Sequence, residues 1–109
     1  MNRRKATSMQ AIVSFTVVPV GDDLSLSKYV AACIKVLDLS NLNYTLHANG
    51  TNIEGPWDEV FKAIKACQFK VHEMGSKRVF TTIQVGTRTD KHQTMNNKIK
   101  SVMEKIQDR

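Results

Sequence analysis

The chain has 109 residues, of which 41% are hydrophobic and 24% are charged, and its formal net charge is +6. This length fits one domain with an ordinary core and excludes two, and the composition is that of a soluble globular protein. No apolar run approaches the roughly 20 residues that a membrane helix needs, because Pro19 and Gly21 end the longest one.

The N-terminal segment, MNRRKATS, is basic and leads into a strand-like stretch without the apolar helix of a signal peptide. We predict that residues 1–8 form a basic, disordered tail and that residues 9–109 form a single domain. Solvated faces explain the remaining charge more often than ligands do. Cys33 and Cys67 lie in helical patterns without metal-ligand spacing, so we expect buried thiols of a reduced cytoplasmic protein and no disulfide.

The first half of the chain predicts a strand, a helix and a hairpin. Residues 9–20 are rich in β-branched residues and predict a strand. Residues 25–39 carry apolar side chains at offsets of three and four, which is typical of an amphipathic helix. Two short strands at 44–48 and 51–55 then flank Asn49-Gly50, a pair that favours a two-residue turn with positive φ at both positions.

The second half predicts a helix, a strand and a helix. Pro56 suits the first position of a helix, with Asp58 and Glu59 at its positive end. Gly75 suits the C-terminal cap of this helix. Residues 77–89 alternate as a long strand, and an amphipathic helix follows from about Thr94.

This order of elements predicts an α+β fold, the ferredoxin-like βαββαβ sandwich with a four-stranded antiparallel sheet, extended by a C-terminal helix. Two helices cover only one face of such a sheet, yet the first strand is apolar on both faces: Ala11, Val13 and Phe15 alternate with Ile12 and Val18. Monomers avoid uncovered apolar surfaces of this kind. We therefore predict a homo-oligomer, either a homodimer or a homotetramer, that is built through sheet edges, sheet faces or both.

The stretch LHANGTNIEGPWDEV at residues 46–60 concentrates polar side chains. Turn and helix-start requirements explain Asn49 and the residues around Pro56, but they do not explain His47, Asn52, Glu54 and Trp57. A carboxylate beside an indole could recognise a ligand that carries an amino group. The alternative is an exposed glutamate and a tryptophan that fills the core, and residue chemistry alone does not separate the two.

The stretch VGTRTDKHQT at residues 85–94 joins the last strand to the last helix. Its Arg88, Lys91 and hydroxyl side chains could hold an anion near the helix N-terminus. An ion pair between Arg88 and Asp90 that supports a subunit contact explains the same residues equally well, and the two roles are compatible.

Other classes of site receive little support. No catalytic constellation, glycine-rich phosphate motif or cofactor motif stands out, and the three histidines are scattered, so we predict neither an enzyme nor a metal site. RNA recognition by a ferredoxin-like sheet needs aromatic residues on both central strands. Phe15 could serve on one of them, but the segment TNIEG has no aromatic residue, which weighs against nucleic-acid binding.

From residue 9 onward, the chain resembles the thiamine-binding-like family of small ferredoxin-like proteins, formerly a family of unknown function. The most specific segments are T-x-I-E-G-x-W, from Thr51 to Trp57, and VGTRTDK, from Val85 to Lys91. The resemblance implies dimers or tetramers with extended sheets. It also implies a small-molecule partner, thiamine or its hydroxymethylpyrimidine part.

An aminopyrimidine has an amino donor and ring nitrogens, which suit carboxylate or amide partners. By their place in the family motif, Asn49, Thr51, Glu54 and Trp57 are implied contacts, and Arg88 and Lys91 would suit the phosphate of a phosphorylated form. Residue chemistry adds two further candidates, so the complete predicted ligand-binding set is His47, Asn49, Thr51, Asn52, Glu54, Trp57, Arg88 and Lys91. The alternative function is a structural or regulatory homo-oligomer without a small ligand, in which the polar loops serve subunit contacts.

Overall fold

The computed structural model describes residues 9–21 and 26–107, so the predicted tail at residues 1–8 and the predicted helix start at Ser25 lie outside it. The described residues form strands and helices in the predicted order. These are β1 (Gln10–Pro19), α1 (Leu26–Ser40), β2 (Asn43–His47), β3 (Gly50–Pro56), α2 (Trp57–Glu73), β4 (Val79–Thr87) and α3 (Met95–Gln107). In these two ranges, no helix has the length and apolar character needed to cross a membrane.

The four strands form one sheet in the order β2-β3-β1-β4, and all three neighbouring pairs are antiparallel. β1 and β2 are therefore parallel with β3 between them, which is the split βαβ arrangement. Helices α1 and α2 pack on each other and on one face of the sheet. The predicted ferredoxin-like α+β fold is confirmed, and α3 is the extra C-terminal helix.

The core lies between the sheet and the helix pair. Alternate residues of β1, including Val13 and Phe15, are buried there with Ile53 of β3. The other side of the core is formed by a set of residues at helical spacing on α1 and α2. Its buried members are Tyr29, Cys33, Leu37, Val60, Ala63, Ile64, Cys67 and Val71.

The two cysteines are buried and unbonded, as predicted. The Cys67 Sγ lies 3.6 Å from the Cys33 carbonyl oxygen, and the Cys33 Sγ lies 3.8 Å from the Cys67 carbonyl oxygen. The hydrogen bond with the Cys33 thiol and burial together raise the pKa of the Cys67 thiol. Both groups therefore act as packing residues between α1 and α2.

The β2–β3 hairpin turns one residue earlier than predicted. His47 pairs with Gly50, so the loop residues are Ala48 and Asn49. The prediction of positive φ at both Asn49 and Gly50 is wrong, because neither residue has a positive φ. Gly50 meets a different requirement: a Cβ at this position would lie 2.9 Å from the Phe15 carbonyl oxygen in the adjacent strand. Close strand approach, and not turn conformation, selects glycine here.

The boundaries of α2 follow the predicted chemistry with a shift of one residue. Pro56 is the N-cap and has extended backbone angles, φ −60° and ψ 138°, so Trp57 is the first helical residue. Asp58 and Glu59 lie in the first turn, as predicted. Gly75 follows the helix with a φ of +112°, which confirms its predicted role at the C-terminal end.

Helix α3 begins with a reciprocal cap. The Asn97 backbone N–H donates to the Thr94 Oγ1 at 3.1 Å, and the Thr94 backbone N–H donates to the Asn97 Oδ1 at 3.2 Å. Met95 is its buried residue among those described. The apolar side chains further along the helix are exposed, and they are Ile99, Val102, Met103 and Ile106. Beyond its first turn, α3 therefore presents an apolar stripe to solvent.

Candidate functional site

Polar side chains form a row across three strands on the open face of the sheet. Ser14 of β1 pairs with Asn52 of β3 on one side and with Gln84 of β4 on the other. The neighbouring Val13 and Ile53 are buried under the helices, so this row points away from the core. Because adjacent strands lie about 4.8 Å apart, the row spans about 10 Å, which suits a single heterocycle.

The row forms part of the floor of a cavity of about 690 Å³, which we call the sheet groove. The floor continues at Ile12, which pairs with Gly86 of β4. A Cβ at Gly86 would lie 4.0 Å from the Ile12 carbonyl oxygen, its nearest neighbour outside the adjacent residues, so this position is open. The first turn of α3, with Met95 and Lys98, forms one wall, and the loop from Thr87 to Gln93 forms another. The volume lies within the usual range of small-molecule sites.

Glu54 attaches the α3 wall to the sheet. It is half-buried on β3, where it pairs with Ile12. Its Oε1 accepts a hydrogen bond from the Met95 backbone N–H at 2.8 Å, and its Oε2 accepts one from the Asn43 side-chain amide. A carboxylate at a helix N-terminus is favourable because it meets unpaired N–H groups and the positive end of the helix dipole. Glu54 therefore fixes the position of the groove wall.

Arg88 organises the loop between β4 and α3. Its Nε and one terminal nitrogen donate to the two oxygens of Asp90 at 2.6 and 2.9 Å, and its other terminal nitrogen donates to the Gln93 Oε1 at 3.2 Å. The hydrogen bonds from Arg88 hold the pKa of the Asp90 carboxyl below its ordinary value. Most of the donor capacity of this guanidinium is thus used within the loop.

The structure brings some of the predicted site residues together. Asn52, Arg88 and Lys91 all line the sheet groove, and Glu54 lies beside it through its contact with Met95. Two separate segments, β3 and the loop after β4, thus meet at one place on the open face.

Three other predicted residues lie at the β2–β3 hairpin. His47, Asn49 and Thr51 line a second cavity of about 820 Å³, the hairpin cavity, between the hairpin and α1. The Asn49 backbone N–H donates to the His47 Nδ1 at 3.3 Å, and Thr51 is buried. Most of the other lining residues are apolar, for example Phe15 and Val30. Within the described residues, no group of three His, Cys, Asp or Glu side chains could hold a metal ion.

Trp57 lines neither cavity. Its ring lies 4.6 Å from the ring of Phe61, measured between centroids, and the side chain packs against the core. Its backbone N–H donates to the Met9 carbonyl oxygen at 2.7 Å. In this structure, Trp57 is three residues from Glu54 in sequence but on the helix-covered side, so the two do not form a shared ligand pair.

Six polar residues that line the groove were not in the predicted ligand-binding set: Gln10, Ser14, Gln84, Thr87, Gln93 and Lys98. A usable signal existed for two of them. Strand periodicity places Ser14 on the same face as Ile12, and it places Gln84 on the same face as Gly86. Lys98 follows Met95 by one helical turn, but nothing local indicates that this side of α3 covers the sheet.

Comparison with known proteins identifies the family of this chain. Residues 13–103 match the family model described as thiamine-binding protein. A UPF0045 protein of Synechocystis sp. is 52% identical over 99 residues, which covers 91% of this chain and 82% of the relative. A UPF0045 protein of Eremothecium gossypii is 40% identical over 103 residues, which covers 94% of this chain and 98% of the relative.

Two solved structures have the same fold. A hypothetical protein from Methanocaldococcus jannaschii has a TM-score of 0.81 at 31% identity, covering 88% of this chain and 98% of that chain. A protein from Thermotoga maritima, named for a suggested role in thiamine biosynthesis or salvage, has a TM-score of 0.72 at 19% identity. That match covers 85% of this chain and 98% of the other. At 19% identity, the second likeness concerns the fold alone.

Proposed function

This chain belongs to the thiamine-binding protein family, and we propose that it binds thiamine or its hydroxymethylpyrimidine part in the sheet groove. The observation that carries the proposal is the polar row of Asn52, Ser14 and Gln84 inside a cavity of about 690 Å³. A cavity of this size with a few convergent polar groups is the usual form of a small-molecule site.

The chemistry of the row suits an aminopyrimidine. Each side-chain amide of Asn52 and Gln84 offers both a donor and an acceptor, and the Ser14 hydroxyl offers either. These groups match the amino donor and the ring nitrogen acceptors of the ligand. Ile12 and Ile99 supply apolar surface in the same groove, against which a ring can pack. Glu54 does not line the groove but holds Met95 of its wall in place.

The test is calorimetry with thiamine and hydroxymethylpyrimidine at up to millimolar concentration. Removing one row amide, in Asn52→Ala, should weaken binding roughly tenfold, because an unpaired buried polar group remains on the ligand. His47→Ala is the matched control, since it changes an exposed residue of the hairpin cavity. Absence of heat from both ligands would refute the proposal. Loss of binding in His47→Ala alone would move the site to the hairpin cavity.

We also propose that the chain forms a homo-oligomer, and one observation favours this as a function in its own right. Ile99 and Val102 on α3 are 61% and 59% exposed, and Phe80 on the edge strand β4 is 63% exposed. A second copy of the chain could cover such surfaces, which monomers rarely leave open. Light scattering at about 0.1 mM protein should give a dimer or a tetramer. A monomer at that concentration would refute this part of the proposal.

A further inference from the structure

The cations of the sheet groove differ in their availability. Arg88 is held by Asp90 and Gln93, as described above. Lys91 and Lys98 also line the groove, and both are exposed. Within residues 9–21 and 26–107, neither of these two ammonium groups forms an ion pair or a side-chain hydrogen bond. Lys98 therefore faces the groove without a close acidic partner, and Lys91 has only the electrostatic attraction of the neighbouring Asp90.

The acidic groups near the groove do not neutralise this pair. None of the described lining residues is an aspartate or a glutamate. Asp90 is bonded to Arg88 and also attracts Lys91, so these three loop residues keep one net positive charge. Glu54 accepts its two hydrogen bonds from uncharged donors on Met95 and Asn43. Glu54 lies at the β3 side of the groove, whereas Lys91 belongs to the loop after β4. The groove is thus polar and amide-lined over the sheet and positive at its loop and helix walls.

On the basis of the proposed function, we infer that the sheet groove selects a phosphorylated ligand, a phosphomonoester of an aminopyrimidine. The heterocycle lies over the row of Asn52, Ser14 and Gln84, and the phosphate is held between Lys91 and Lys98. Lysine binds phosphate as a point charge and needs no fixed fork geometry, so two flexible lysines at the groove walls suffice. Because the polar row spans about 10 Å, the ring fits on the floor of the groove and its phosphate lies at the wall.

The same charges act against unmodified thiamine. Its thiazolium nitrogen carries a permanent positive charge, which Lys91 and Lys98 repel. A phosphate group reverses the sign of this interaction, and a neutral hydroxymethylpyrimidine gains nothing from the lysines. The expected order of affinity is therefore hydroxymethylpyrimidine phosphate first, then hydroxymethylpyrimidine, then thiamine. Salt should weaken the first of these most, because screening reduces interactions between exposed charges.

The experiment compares these three ligands and inorganic phosphate by calorimetry at about 0.15 M salt. We expect the phosphorylated pyrimidine to bind roughly tenfold more tightly than the unphosphorylated one. The double variant Lys91→Gln/Lys98→Gln should remove this difference, because it weakens binding of the phosphorylated form more than binding of hydroxymethylpyrimidine. The control Lys62→Gln/Lys65→Gln removes the same charge from α2 on the opposite side of the sheet, and it should retain the difference.

The outcomes separate this inference from the proposed function. If hydroxymethylpyrimidine or thiamine binds as tightly as the phosphorylated form, selection for phosphate is refuted and the proposed function stands. If the double variant weakens all ligands equally, the lysines shape the groove and do not receive a phosphate, which also refutes the inference. Equal binding of inorganic phosphate would show that the heterocycle contributes nothing. If no ligand binds at all, the proposed function itself falls.

Discussion

Removing the carboxylate of Glu54 should release α3 from the sheet. In Glu54→Ala, the Met95 backbone N–H loses its 2.8 Å hydrogen bond. Met95 itself is only 9% exposed, so its N–H is left without this acceptor at a buried residue. An unsatisfied amide of this kind costs about 1–3 kcal/mol. Loss of the negative charge at the helix N-terminus adds about 0.3–1 kcal/mol. The exposed Asn43 amide regains water and contributes little.

Since Glu54 is itself half-exposed, we expect the summed free-energy cost of Glu54→Ala to lie near the lower end of these ranges, at about 1–2 kcal/mol. The effect should concentrate in α3, whose apolar side chains beyond the first turn do not pack into the core. Amide hydrogen exchange should therefore accelerate by roughly tenfold in Met95–Gln107, because each 1.4 kcal/mol of local opening free energy corresponds to a factor of ten. Exchange in the central strand β1 should change much less.

The matched control is Glu73→Ala. Glu73 forms an exposed ion pair with Lys70, and its side chain is 73% exposed. Such pairs contribute at most about 0.5–1 kcal/mol, so α3 exchange should stay as in the unmodified chain. Glu54→Gln keeps an acceptor for the Met95 amide, so its exchange rate in α3 should lie between those of Glu54→Ala and Glu73→Ala. Unchanged exchange in α3 of Glu54→Ala would show that the carboxylate does not hold the groove wall.

Three further predictions concern the core, the hairpin and the loop. Cys33 and Cys67 should resist maleimide at about pH 8 until the chain is denatured, because both thiols are buried away from the reagent and the pKa of Cys67 is raised. Rapid labelling of the native chain, counted by mass spectrometry, would contradict this packing. Gly50→Ala should lower the free energy of unfolding in urea by about 1–3 kcal/mol, because its Cβ would lie 2.9 Å from a backbone oxygen. Gly86→Ala, with its nearest atom at 4.0 Å, should stay within about 0.5 kcal/mol. Hydrogen bonds from Arg88 lower the folded-state pKa of Asp90. The stabilisation by this pair is therefore present above the unfolded pKa of about 3.9 and is lost as the pH falls through the lower folded-state pKa. An Asp90 carboxyl that titrates by NMR at the unperturbed value would contradict the ion pair.

Turn and cap chemistry explains both the success and the small errors of the sequence-based boundaries. Gly75 has the positive φ expected of a helix-end glycine, since the local sequence alone demands that conformation. Gly50 does not have a positive φ. Glycine is required there because the Phe15 carbonyl oxygen of β1, 35 residues earlier in the chain, leaves no room for a Cβ. A glycine that serves a contact with a distant segment looks the same in sequence as one that serves its own turn.

The candidate site was accessible to sequence reasoning in part. Asn52 and Glu54 could be placed on one face of β3 from strand alternation, and the structure confirms that shared face. The distance between Glu54 and Trp57 could not be judged, because the chain passes from a strand into a helix between them. That change sends the indole under the sheet and leaves the carboxylate above it.

The order of elements, their apolar faces and hence the ferredoxin-like sheet are encoded locally, because those properties follow from periodicities within single segments. The sequence also contained the motif segments that identify the family. Tertiary structure decided which side chains meet. Strand register set Ser14 between Asn52 and Gln84, and the Glu54 hydrogen bond to Met95 placed α3 over the open face. Register and helix docking depend on contacts between segments far apart in the chain, and no local pattern encodes them.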